Sequence, residues 1–258
     1  MLDPIIHYYT HEFVEGDRLA ADGAGRLELV RTQELLQDLL PAAPARIADV
    51  GGATGVYARW LMGLGHQVEL ADLTPSHVEA ALASSPGLHA VVADARDLPW
   101  ADDRFDVTLL MGPLYHLIRP LDRQQALREA IRVTRPGGAV AVTAISLHAS
   151  LLDLTVHGLL DDESLTWVHE LMASGVNDGR FGFTEAFMHT ADELEAELVG
   201  SGLGDVEVKG IEGPLWPVTR FRDPTQDLSQ FVLAAREAES DRHVIAASAH
   251  FLGVGRTR

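Results

Sequence analysis

The chain has no cysteine, which removes disulfides, thiolate nucleophiles and cysteine-built metal sites together. It is also short of positive charge: 20 Lys and Arg stand against 38 Asp and Glu, a formal net charge of -18. A field of that sign repels a phosphate backbone, so nucleic acid is not an expected partner and a neutral or cationic small molecule is. No uninterrupted apolar run approaches the ~18 residues that a membrane span needs. The opening MLDPIIHYYTHEF has no basic stretch followed by an apolar one, so no signal peptide is read from it and a cytoplasmic location is expected. What is present suits one large α/β domain with additions: 258 residues, 47% hydrophobic and 22% charged, enough for a substantial core but short for two full domains.

Residues 1–44 read as a helical N-terminal lid. In GRLELVRTQELLQDLL the apolar positions Leu27, Val30, Leu35, Leu36, Leu39 and Leu40 approach a helical repeat, which Pro41 and Pro44 end. From Arg46 short apolar runs alternate with helical stretches. The runs RIADV, HQVELA, HAVVA, DVTLLM and AVAVTAI end near Val50, Ala71, Ala93, Met111 and Ile145. Between them lie VYARWLMGL, PSHVEAALAS and DRQQALREAIRVT. Near-continuous apolar character suits strands buried on both faces, and the alternation argues a doubly wound, mostly parallel sheet. Residues 45–146 form this core and 147–189, less regular, read as a helical cap insertion over the ligand edge. Residues 190–258 complete the sheet with a helix in ADELEAELVGSG, a strand in DVEVKGI, a helix near 226–239 and a final strand in AHFLGVG.

The most informative stretch is Asp49-Val50-Gly51-Gly52-Ala53-Thr54-Gly55, between the first strand and the next helix. Glycines there allow a sharp turn and close approach by a ligand at the carboxyl edge of the sheet. A dinucleotide fingerprint would want a third glycine where Val56 stands. Two further acids follow at successive strand ends: Asp72, where a carboxylate can take both hydrogen bonds of a ribose diol, and Asp94, where one can meet an adenine amino group. Phe105-Asp106 leads the fourth strand and Arg135-Pro136-Gly137-Gly138 opens the fifth.

In that order and spacing the chain resembles a class I S-adenosylmethionine (SAM)-dependent methyltransferase of the small-molecule type, over residues 45–145 and more weakly from 190 onward. The resemblance implies a seven-stranded Rossmann-like sheet whose last strand is antiparallel. It implies that Gly51, Ala53 and Gly55 flank the methionine part of SAM beside Asp49, that Asp72 holds the ribose hydroxyls, and that Leu73 packs on the adenine. Asp94 and the backbone of Ala95 would read the adenine edge, and Met111 and Gly112 would line the cofactor. SAM is then the cofactor and S-adenosylhomocysteine the product. Ala53 departs from the family, which usually has glycine there; a negative φ at this residue is expected, with cofactor binding retained.

Methyl transfer from SAM asks the protein mainly for positioning and water exclusion, and for a base only where the acceptor must lose a proton. The candidate base is His116, in MGPLYHL after the fourth strand; its alternative is a histidine bonded to cofactor or loop. Tyr9, Tyr115 and His148 are candidate substrate contacts. Tyr8, His11, Glu12 and Arg18 stand in a leading segment that can close over the site, with Arg18 a partner for the SAM carboxylate or a solvated helix residue. His7 and His11 have a metal-like spacing but no third ligand, so no metal is expected. The cap supplies His157, Trp167, His169, Phe181, Phe183 and Phe187, with Trp216 beyond it, as pocket wall or as the cap's own core. Asp161, Asp162 and Glu163 read as a solvated face or a helix start. The expected activity is methylation of an oxygen or nitrogen of a small-molecule acceptor; no nucleic acid and no membrane are expected, and a homodimer is left open. The competing readings are a nicotinamide-dependent oxidoreductase, disfavoured by Val56 and Asp94, and a non-catalytic SAM-binding regulator.

Overall fold

The computed structural model describes residues 4–11 and 15–258; Glu12 lies outside them. Helices α1 (Pro4–His11), α2 (Arg18–Ala21) and α3 (Gly23–Gln37) come first. Helix α3 starts where the Asp22 side chain accepts the Gly25 amide, an N-cap that a helix opening on two glycines needs. Strand and helix then alternate through β1 (Arg46–Val50), α4 (Val56–Gly63), β2 (Gln67–Asp72), α5 (Pro75–Ser84) and β3 (His89–Val92). The same pattern continues through β4 (Phe105–Leu110), α6 (Pro113–His116), α7 (Pro120–Val133) and β5 (Thr134–Ile145). The cap holds α8 (Ala149–Val156), α9 (Asp162–Ser174) and a small hairpin of β6 (Val176–Asn177) and β7 (Ala186–Phe187). The chain closes with α10 (Ala191–Gly200), β8 (Gly204–Gly210), α11 (Trp216–Thr219), α12 (Ser229–Ala238) and β9 (His250–Arg256).

The main sheet has seven strands in the order β3-β2-β1-β4-β5-β9-β8. Pairing is parallel from β3 to β5, and β9 runs antiparallel to both its neighbours, β5 and β8. The last strand is thus reversed, as expected, and this brings its first residue to the sheet edge where the parallel strands end: His250 pairs with Ile145. One apolar layer joins the sheet to α7 and α10 through Leu127, Leu194 and Phe251; the other joins it to α3, α4 and α5 through Leu36, Leu61 and Val78. A separate core around Trp167 and Trp216 belongs to the cap and the residues under it.

Burial on both faces holds for β1, β4 and β5 but not for β3, where Val92 is 53% exposed. Strand β3 is one of the sheet's two edges, and an apolar run alone does not reveal edge position. The cap is helical with a hairpin added. Asp161 caps α9 in a reciprocal capping box with Ser164, and Asp162 and Glu163 fill its first turn, so this acidic run is a helix start. Among the described residues no helix is long and apolar enough to cross a membrane.

Candidate functional site

A cleft of about 470 Å³ opens at the carboxyl ends of β1, β2 and β4 and runs to the start of β9, a size within the range of small-molecule sites. Its floor is the turn after β1. A Cβ on Gly51 would stand 2.9 Å from the Met111 carbonyl oxygen, and one on Gly52 2.7 Å from the Asp49 carboxylate. Neither position tolerates a side chain, so close packing here demands glycine as strictly as the turn does. Asp49 itself is fully enclosed beneath the turn rather than on the cleft wall. Burial, reinforced by the Asp72 charge, pushes its carboxyl up to about 7. Gly55 is likewise set behind the lining, as the N-cap of α4.

Ala53 has φ 45, the left-handed region, which overturns the expected negative φ. The reason lies one strand away. The Ala53 amide donates to Asp72 Oδ2 at 2.9 Å, which fastens the turn at this residue to the end of β2. The other oxygen of Asp72 accepts the Thr74 amide at 2.8 Å and meets His77 Nδ1 at 3.2 Å. Oδ1 thus spends its acceptor positions on Thr74 and His77, while Oδ2 spends one on the Ala53 amide and keeps another for the cleft that the residue lines.

Asp94, Leu73, Ala95, Met111 and Gly112 all line the cleft as the sequence suggests. Asp94 is gripped by Arg96, whose amide lies 2.8 Å and Nε 3.0 Å from its Oδ1. Burial would raise the Asp94 carboxyl, but the Arg96 bonds outweigh it and hold the group below its ordinary range. Arg96 lines the cleft too; its position two residues after the acid was the available signal. The Gly112 amide donates to Thr143 Oγ1 at 3.1 Å, bringing the end of β5 into the site.

The leading segment closes the other side. Tyr9 and Arg18 line the cleft, and the Tyr9 hydroxyl sits 2.9 Å from His116 Nε2. Tyr115 stacks beside His116, and Phe183 of the cap packs against both rings. Burial holds the Tyr9 and Tyr115 phenols well above their ordinary range. Arg18 is not a solvated helix residue. Its guanidinium grips Glu28 through two bonds of 2.6 and 2.8 Å and reaches Glu15 at 3.0 Å.

His148 stands at the start of α8, outside the cleft lining, and no residue of 147–189 appears in that lining among the described residues. Trp167 and Trp216 are instead 2% exposed and donate to Asp178 and to the Ala247 carbonyl. The cap aromatics are therefore chiefly the cap's own core. The His7 and His11 rings meet edge-on, with centroids 5.0 Å apart. The metal-type ligands that converge among the described residues are Glu28, Glu212 and His250, within 4.8 Å of one another, but Arg18 already grips Glu28 and the imidazole already bonds Glu212. Glu28 and His250 line the cleft; no spacing rule links residues so far apart in the chain.

The methyltransferase domain family matches residues 48–142. The chain is 36% identical over 138 residues to the methyltransferase GfsG of Streptomyces halstedii, covering 51% of this chain and 45% of that protein. It is 30% identical over 191 residues to a demethylmenaquinone methyltransferase of Mycolicibacterium vanbaalenii, covering 70% of this chain and 77% of the relative. The chain spans about half the length of several curated relatives it matches, the Streptomyces protein among them. In fold it superimposes, at a TM-score of 0.63 and 18% identity, on a Thermotoga maritima SAM-dependent methyltransferase described as a possible histamine N-methyltransferase, covering 98% of this chain and 99% of the other. Strand order, the glycine turn and the long match to the Mycolicibacterium relative agree: the chain belongs to the class I SAM-dependent methyltransferases.

Proposed function

We propose that this chain transfers the methyl group of SAM to an oxygen or nitrogen atom of a small-molecule acceptor. The observation that carries the reading is one cleft lined together by Asp72, Asp94, the Gly51–Ala53 turn and Tyr9. Bound SAM supplies an electrophilic methyl on a cationic sulfur, so the protein's share is to hold, orient and exclude water. Asp72, which lines the cleft and keeps an acceptor position on Oδ2, is the group for a ribose hydroxyl. Asp94 and the Ala95 backbone stand one strand further out for the adenine edge, with Leu73 as its apolar support and Met111 and Gly112 beneath. Arg18 faces the methionine end as the group for its carboxylate, and the Tyr9–His116 contact closes the lid over the site.

Asp72→Ala is expected to weaken SAM binding by about 1–3 kcal/mol, the worth of hydrogen bonds to a charged acceptor. Titration calorimetry with SAM and S-adenosylhomocysteine measures it, and unchanged affinity contradicts the site. Turnover is tested by incubating radiolabelled SAM with a metabolite extract. Label passing to a small molecule supports the reading; SAM binding without any transfer would point to a regulator instead.

A further inference from the structure

We propose that His250 is the general base for a hydroxyl acceptor, positioned by the buried carboxylate of Glu212; the inference rests on the methyl transfer proposed above and narrows its acceptor to oxygen. His250 opens β9 and lines the cleft. Its Nδ1 lies 2.5 Å from Glu212 Oε1. An ionised carboxylate only accepts, so Nδ1 carries the hydrogen and the neutral ring keeps its lone pair on Nε2. Nδ1 is engaged and the residue faces the cleft, so Nε2 is the nitrogen that a ligand can meet.

Glu212 has no freedom to turn away. Its side chain is 2% exposed, and its second oxygen accepts the Ser248 hydroxyl at 2.9 Å and the His250 amide at 3.0 Å. Ser248 Oγ in turn accepts the amides of Glu212 and Gly213 at 3.0 and 3.2 Å. A closed ring of bonds therefore fixes both tautomer and ring orientation, which is how a carboxylate makes a histidine an effective base. In His116 it is Nε2 that is engaged, by the Tyr9 hydroxyl of the lid.

Position agrees with the role. His250 pairs with Ile145, two residues beyond Thr143, whose hydroxyl takes the Gly112 amide. Two strand spacings, about 10 Å, separate β9 from the end of β4, and His250 lines the same cleft as Met111 and Gly112. The charged groups facing it are Glu212, Glu28, with Oε2 3.9 Å from Nδ1, and Arg18, which grips Glu28. Burial alone would push the imidazole down; the two carboxylates outweigh it and leave the ring above its ordinary range. The ring is a cation at low pH and becomes a base as pH climbs past that raised value.

In the reaction the acceptor O–H proton passes to Nε2 while an oxygen lone pair forms the bond to the methyl carbon. The electron pair of the broken methyl–sulfur bond stays on sulfur, and the imidazolium, stabilised by Glu212, later returns its proton to solvent.

The first test needs neither SAM nor acceptor. Nitrogen-15 NMR of the ring, assigned by its loss in His250→Asn, should show the Nδ1–H tautomer and a titration midpoint above about 6.5 that falls in Glu212→Gln. An Nε2–H tautomer, or a midpoint that Glu212→Gln leaves in place, overturns the proposal. The second test labels a metabolite extract with radiolabelled SAM and treats the product with hot hydroiodic acid, which releases ether-bound methyl as iodomethane. The label should be ether-bound. His250→Asn, which keeps an N–H for Glu212, should slow transfer by about 10²-fold or more with SAM affinity within a few-fold of wild type. Glu212→Gln should move the acidic limb of the pH–rate profile to lower pH. Label fixed on nitrogen or carbon, or wild-type turnover in His250→Asn, refutes the base role alone. Wild-type protein that binds SAM and labels nothing refutes the methyl transfer, and the base role with it.

Discussion

Ala53 holds a backbone conformation, φ 45, that costs an L-residue about 1–2 kcal/mol relative to a right-handed one. It persists because its amide is fastened to Asp72, which is fastened in turn to Thr74. Glycine would remove the strain but add about 0.4–1 kcal/mol of unfolded-state entropy. The strain is the larger, so Ala53→Gly is expected to stabilise the fold by about 1 kcal/mol or less. Chemical denaturation reads this directly; a loss of stability would mean that the methyl makes a packing contribution larger than its strain. The sequence-based expectation of negative φ failed here because local preference disfavours left-handed alanine, whereas the deciding force is a hydrogen bond to a residue 19 positions away. Arg18 shows the same limit. Its residue type and helix position suit a solvated cation, and only the fold shows Glu15 and Glu28 around it.

At the scale of elements the sequence was most legible where a local pattern coincides with a global layer. Apolar runs ending in Asp72 and near Asp94 locate two strand ends and two cleft residues, since strands in this sheet deliver their last side chains to one edge. His250 was not legible by that logic, because it begins a strand. Only the reversal of β9 carries a strand start to the ligand edge, and its partner Glu212 lies 38 residues upstream in a loop. The helices within 147–189 were legible, but not the bonding of this stretch to the core. Arg123 on α7, 3% exposed, holds Glu197 of α10 at 2.6 Å. It also donates to the carbonyls of Leu117 and Ile118 at 3.0 and 2.8 Å and lies over the Phe187 ring of β7. Leu117 and Ile118 line the cleft, so one side chain ties cap, sheet layer and site wall together. Arg123→Ala should cost toward the low end of about 3–5 kcal/mol, since Glu197 keeps some solvent after its partner goes. Arg123→Met with Glu197→Leu should recover much of that loss, because the orphaned charge is then absent. Denaturation of the two variants decides it, and an equal loss in both would show that packing on Phe187, not charge pairing, holds the junction.

At the scale of the whole molecule the acidity becomes a statement about binding kinetics. The chain carries a formal charge of -18, and the cleft repeats that bias: Glu15, Glu28, Asp72, Asp94 and Asp122 line it against Arg18, Arg96 and Arg119. SAM carries a net positive charge through its sulfonium, whereas S-adenosylhomocysteine, its thioether product, carries none. A negative protein with a negative cleft draws the first in from a distance and is indifferent to the second. Salt screens that attraction over a Debye length of about 10 Å at 0.1 M, while contacts inside the cleft are screened far less. The association rate of SAM should therefore fall several-fold between about 50 mM and about 500 mM salt, with that of S-adenosylhomocysteine nearly flat and both dissociation rates little changed. Stopped-flow fluorescence with the two ligands separates these cases. Equal salt dependence for both would assign the effect to lid opening, and no dependence for either would mean that the pairing of Arg18 and Arg96 with the cleft carboxylates already neutralises the field an approaching ligand feels. The expected pattern favours entry of the charged cofactor over its neutral product, a bias that needs no contact specific to the methyl group and that follows from composition carried through to the shape of one cleft.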